Sequence, residues 1–132
     1  MRIMIDTNVL ISALLFPSAR MDALMYTITG KHQLVLSSFV VEELIEVTRR
    51  KFPKKLDAMD ALLRRLPYEL VYTPKVMEMD LFTIRDEKDY PVLYSAIADD
   101  VDVLVTGDQD FHDIVLERPE ILTPSQFMER HG

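Results

Sequence analysis

Four acidic residues stand where charge is not needed for solubility alone. Asp6 ends the apolar run Ile3-Met4-Ile5, and Asp108 follows the run Val103-Leu104-Val105. Glu43 and Asp89 fall in helical stretches among apolar neighbours. Each has an ordinary explanation when taken alone. Asp6 and Asp89 suit helix starts, where a carboxylate meets unpaired N–H groups and the positive end of the dipole. Gly107-Asp108 is common turn chemistry, and a glutamate at the edge of an apolar arc can reach to water. Brought to one rim, however, the four could not all stay ionised without a cation, so the cluster either takes up protons or holds a metal. An all-oxygen site without cysteine or clustered histidine selects Mg²⁺ or Mn²⁺ ahead of Zn²⁺. Such ions share their coordination with phosphate, activate water and stabilise a leaving oxygen, which is the logic of metal-dependent phosphodiester hydrolysis. On this reading Asp6, Glu43, Asp89 and Asp108 are the ligands, and one of them is the proton acceptor. Thr7, Asn8 and Thr106 are neutral groups at the same rim, suited to positioning water or a carboxylate, with Asp86 and Asp110 as supporting acids.

The elements that must position these groups follow from periodicity and punctuation. Residues 2–5, 33–36, 68–72, 101–105 and 120–122 predict five short strands, several without any polar face, as in a buried parallel sheet. Between them lie helices over 8–16, ended by Pro17, and over 18–29, with Gly30 in the terminating place. Ser37 and Ser38 offer a cap for the next helix. At about 100° per residue, Glu43 falls inside its apolar arc between Phe39 and Val47, while Glu42 and Glu46 fall outside. Burying an unpaired charge there is costly, which favours a function for Glu43. Pro53 opens a helix to about Leu66, and Thr73 to Asp80 is a connector with no assigned role. Asp89 lies about 40° from Leu93 on its helix, and Pro91 is tolerated in the first turn. Thr123-Pro124-Ser125-Gln126 forms a capping box for the last helix.

Strands alternating with helices predict a three-layer α/β/α fold with a parallel sheet, and right-handed crossovers allow the order 3-2-1-4-5. That order sets the first and fourth strands side by side at the switch point, where ligands bind, with Asp6 and Asp108 at its mouth.

The chain of 132 residues suits one domain over 1–132. The absence of cysteine excludes disulfides and thiolate chemistry and fits a cytoplasmic protein. The first apolar run, broken by Asp6 and Asn8, resembles neither a leader nor a membrane span. The three glycines are too scattered for a phosphate-cradling loop. Of the histidines, only His112 falls near the rim, and it is expected at the surface. A net charge of −7 argues against a protein that grips nucleic acid over its whole surface. Seven of the fifteen basic residues nevertheless lie in 49–65. They read as solvated helix faces, with Arg49, Arg50 and Lys51 as candidates for a phosphate-binding rim.

The stretches Ile5-Asp6-Thr7-Asn8-Val9-Leu10, Glu43-Leu44, Asp86-Glu87-Lys88-Asp89 and Leu104-Val105-Thr106-Gly107-Asp108-Gln109-Asp110-Phe111 resemble, in order, the successive acidic motifs of PIN domains. Among these the chain looks most like short bacterial and archaeal proteins of the VapC type, the toxins of toxin–antitoxin pairs. The resemblance implies a Mg²⁺- or Mn²⁺-dependent endoribonuclease with a 3-2-1-4-5 sheet, a homodimer, and restraint by a small antitoxin. RNA would then be the substrate, and Arg49, Arg50 and Lys51 would contact it. Tyr90-Pro91 departs from the family pattern, in which a small or polar residue commonly follows the third acid, and could tilt Asp89.

Three other readings compete. A haloacid-dehalogenase-type phosphotransferase needs a second Asp two residues after Asp6, where Asn8 stands. A response receiver needs an acceptor Asp after the third strand, where Tyr72-Thr73-Pro74 stands, and a late lysine. A catalytically silent PIN module, binding RNA or a protein partner, would keep the fold without the chemistry.

Overall fold

In the computed structural model, which describes residues 1–132, the apolar runs become one parallel sheet. Its strands are β1 (Arg2–Ile5), β2 (Gln33–Ser37), β3 (Glu69–Val71), β4 (Val103–Val105) and β5 (Glu120–Leu122). They lie in the order β3-β2-β1-β4-β5, and every neighbouring pair is parallel. Ile5 stands opposite Val105, so β1 and β4 end level with each other. Ile3, Met4, Ile5, Leu34, Val35, Leu36, Val103, Leu104 and Val105 are all buried, which requires cover on both faces of the sheet. Each such side chain contributes about 1.5–3 kcal/mol on burial, and this core offsets the cost of carboxylates set at its edge.

The covering helices are α1 (Thr7–Leu15), α2 (Ala19–Lys31), α3 (Ser38–Lys51), α4 (Leu56–Arg65), α5 (Tyr90–Ala98), α6 (Gln109–His112) and α7 (Pro124–His131). Single 3-10 turns at Pro53–Lys55 and Glu87–Asp89 precede α4 and α5. Helix α2 runs through Gly30, and His32 rather than Gly30 closes it, donating its N–H to the Ile28 carbonyl at 3.0 Å. The exposed glycine leaves open space in the last turn and does not break the helix. Strand β4 starts at Val103, and residues 109–112 form a helical turn where the sequence indicated only a bend. The capping box at Thr123 and Gln126 is present. No single helix is long and apolar enough to cross a membrane.

Two local features set up the site. First, β1 and β2 pass into helices with no intervening loop, and Asp6 and Ser37 serve as the N-caps. The starts of α1 and α3 are thereby fixed at the carboxyl ends of the central strands. Second, the connector after β3 is strapped onto α5. The Tyr90 hydroxyl donates to the Glu78 carbonyl and accepts the Leu81 N–H at 3.3 Å, while Phe82 stacks on the Tyr90 ring at 4.2 Å between centroids. Its beginning is tied down as well, because Thr73 N–H donates to Ser38 Oγ at 2.9 Å and Thr73 Oγ1 accepts the Ser95 hydroxyl at 2.8 Å. This strap leads directly into the turn carrying Asp86 and Asp89.

Candidate functional site

Asp6 caps α1, accepting the Asn8 N–H on Oδ1 at 3.0 Å, and its other oxygen accepts the Thr106 hydroxyl at 2.5 Å. The capping explanation and a place in an acidic cluster therefore hold for the same side chain. Only 6% of the residue is exposed. Burial pushes its pKa up against the lowering by these two hydrogen bonds, and the nearby charges of Glu43 and Asp108 push it further. Glu43 lies in the second turn of α3, half-buried, with Oε1 accepting the Thr7 hydroxyl at 2.5 Å. Thr7 and Thr106 thus hold one carboxylate each from opposite sides of the β1–β4 junction.

The tightest acidic grouping is Asp89, Asp108 and Asp110, with one carboxylate oxygen from each lying within 4.8 Å of the others. Asp108 caps α6 by accepting the Asp110 N–H at 2.9 Å, and its own N–H donates to Thr106 Oγ1 at 3.1 Å. Asp89, the N-cap of α5, makes no capping hydrogen bond. Its carboxyl group is pushed up to about 7, first by burial, then by the charges of Asp108 and Asp86, by a hydrogen bond with Asp108, and by Asp6. Tyr90 is buried beneath the strap, and Asp89 still faces the other acids. Asp86 is exposed, accepting the Lys88 N–H at 3.0 Å, and its charge reaches the cluster through Asp89.

None of Asp6, Glu43, Asp89 or Asp108 forms an ion pair with a lysine, arginine or histidine. The cation ion-paired to an acid of this rim is Arg85, which donates to both oxygens of Asp110 at 3.0 and 3.2 Å. Arg85 is itself largely exposed, while the Asp110 side chain is mostly covered. His112, expected at the surface, is half-buried instead, and its Nε2 lies 2.9 Å from the Thr106 carbonyl. It pins the residue that binds Asp6 and Asp108. Asn8 is exposed and lines a cleft of about 370 Å³ beside Asp108. Arg49, Arg50 and Lys51 lie exposed in the last turn of α3, about 9–12 Å beyond Glu43 at 1.5 Å per residue.

The fold and site define a class: a parallel α/β sheet whose switch-point mouth is lined by carboxylates. A family model described as the PIN domain matches residues 2–110, and the chain belongs to that family. No curated relative matches the sequence. Among solved structures, the fold is similar to that of a chain in the crystal structure of VapBC2 from Rickettsia felis bound to a DNA fragment from their promoter. The match has a TM-score of 0.69 at 18% identity and covers 92% of this chain and 97% of the other.

Proposed function

We propose that the protein is an endoribonuclease that uses Mg²⁺ or Mn²⁺ to hydrolyse RNA phosphodiester bonds. The observation that carries this reading is the set of unpaired carboxylates at one rim, with Asp89 pushed up to about 7 in the absence of a countercharge. Burial raises Asp89 first and the charges of Asp108 and Asp86 raise it further, and a cation held among these acids would offset both. The donor set fits a hard divalent ion, because it is all oxygen and three of its members already lie within 4.8 Å of one another. Asp89 and Asp108, with Asp6, Glu43 and Asp110 around them, would hold it. Bound there, the ion supplies a water of lowered pKa and charge stabilisation at the phosphate.

The chain's own groups do the rest. Thr106 and Thr7 hold Asp6 and Glu43 in fixed orientations, and His112 holds Thr106. A rim carboxylate takes the proton of the attacking water as the new P–O bond forms and the bond to the leaving ribose oxygen breaks, and solvent protonates that oxygen. PIN-family membership and the likeness to a VapBC2 chain support a finer reading as well. In it the enzyme is the toxin of a toxin–antitoxin pair, cytoplasmic, homodimeric and restrained by a small antitoxin.

The test joins two measurements. Millimolar Mn²⁺ should raise the unfolding midpoint, by about 2.7 kcal/mol of stabilisation at one hundred times its dissociation constant. The same ion should switch on cleavage of mixed-sequence RNA that a chelator stops. A melt indifferent to Mn²⁺, together with intact RNA, would leave a PIN module without this chemistry.

A further inference from the structure

The cleft shares Asp108 with the acidic cluster, and its other walls come from residues outside that cluster. Its volume, about 370 Å³, lies at the small end of ligand pockets, enough for one nucleoside rather than a stack of them. Val9, Met21 and Pro124 give it apolar walls from three different helices, while Asn8 and Ser12 supply an amide and a hydroxyl. No lysine or arginine lines it, so it is not built to take a phosphate. An apolar wall with a few hydrogen-bonding groups matches a nucleobase, which has an apolar face and a polar edge. The Met21 thioether adds a polarizable contact for an aromatic ring.

Gly107, which also lines the cleft, provides an independent observation. A Cβ built there would meet nothing within 4 Å, and the residue does not adopt a positive φ. Neither packing nor backbone conformation requires glycine at this position. A side chain there would stand in open space at the lining of the cleft.

Resting on the ribonuclease reading above, we propose that this cleft seats the base of the nucleotide adjoining the scissile phosphate. Asn8 and Ser12 meet its edge, and Gly107 keeps the entrance open. The site thereby positions the strand at the acidic rim from a cleft that no lysine or arginine lines.

The experiment is a cycle between protein and substrate, which isolates a pairwise interaction. An RNA oligonucleotide with a mapped cleavage site is compared with versions in which the nucleotide on either side of the cut is abasic. The parent protein should cleave one abasic version at least tenfold more slowly than the intact strand. Gly107→Val, in the loop after β4, and Ser12→Leu, on α1, should each cleave the intact strand at least tenfold more slowly than the parent. In both variants the intact and abasic strands should differ by less than twofold. The Mn²⁺-induced rise in unfolding midpoint, measured in parallel, should match the parent's. A parent indifferent to both abasic positions, or two filled variants as sensitive to base removal as the parent, overturns the base site while leaving the nuclease standing. RNA cleavage unaffected by either filling substitution also overturns it and leaves the cleft to a protein side chain. A parent that neither responds to Mn²⁺ nor cleaves RNA overturns the nuclease reading itself.

Discussion

The two ends of the sheet carry the same residue types in opposite states. At the end where the strands begin, Glu69 lies 2.7 Å from Arg2, which also pairs with Asp99. Arg118 lies 2.7 Å from Asp102 and 3.2 Å from Asp100, and Glu120 sits between Arg130 and His131. The pKa of Glu120 is lowered, first by its hydrogen bond with His131. At the end where the strands finish, Asp6 and Asp89 are raised. Surface ion pairs are worth little individually, so the paired end is not a large store of stability. Its lesson is that this chain supplies a cation where acids have only a structural task. At the other end Asp6, Glu43, Asp89 and Asp108 have no lysine, arginine or histidine partner, which is what the proposed metal site would need.

The sharpest way to break the comparison is to neutralise one acid at each end. Removing even the outer partners of metal ligands commonly costs about 10–100-fold in activity, so Asp108→Asn should lower RNA cleavage by at least about 100-fold. Glu69→Gln, at an exposed position, should stay within about twofold of the parent, as surface changes of roughly 0.5 kcal/mol do. Initial rates on a labelled RNA decide it. Similar losses in both would mean that the acidic rim has no special role.

A smaller effect concerns pH, and the signs at the two ends are opposite. Asp89 has a folded pKa of about 7 against an ordinary value of 3.8. The native state therefore binds its proton more tightly, and the stability this gives is complete below about 3.8 and lost as pH rises through about 7. Glu120 is lowered from 4.5, so its contribution is present above that value and lost as pH falls through its folded pKa. In metal-free protein, Asp89→Asn should raise the midpoint at pH 8 and flatten its dependence on pH between 4 and 7. Glu120→Gln should lower the midpoint at pH 7 by a modest amount. Melts across pH in a chelator, in which both variants shift the same way at neutral pH, would dissolve the distinction.

The sheet was legible because buried parallel strands are written as unbroken apolar runs, and the observed order is one that right-handed crossovers allow and the motif resemblance implied. The rim positions of Asp6 and Asp108 followed in turn, since both close such runs. Other features depend on distant partners. Asp110 joins Asp89 and Asp108 because residues 109–112 turn into a short helix capped by Asp108, and a Gly-Asp bend alone does not indicate this. His112 is half-buried because its ring reaches back to the Thr106 carbonyl, and Arg85 matters only because the folded strap delivers it to Asp110. The strap itself, opaque in sequence, is held by hydroxyls of Tyr90 and Tyr94 reaching backbone groups of Glu78 and Leu81. No local pattern encodes those contacts. The cleft lined by Ser12, Met21, Gly107 and Pro124 likewise exists only once α1, α2 and α7 have packed around the loop after β4.

The smallest expected effect tests whether the acidic rim draws RNA unaided. Arg50 is seven residues beyond Glu43, so on a helix it lies within about 20° of the same stripe and roughly 10 Å further along. Its only ion pair is with Glu46 at 3.9 Å, both side chains being 61% exposed, and a pair of that kind does not hold an arginine back from phosphate. Neutralising Arg49, Arg50 and Lys51 together should weaken RNA binding several-fold. It should also flatten the dependence of log affinity on log salt by about 2, if all three meet phosphates of a single strand. The Mn²⁺ shift in unfolding midpoint should stay at the parent value, because charges about a Debye length away are largely screened at physiological salt. Anisotropy titrations of labelled RNA at three salt concentrations give the slope directly. If it does not move, the basic end of α3 is a solvated face, and the strand must approach from the opposite side, across Asn8 and Gly107. The RNA would then be held by its bases and by the bound cation, with little help from the protein's own positive charge.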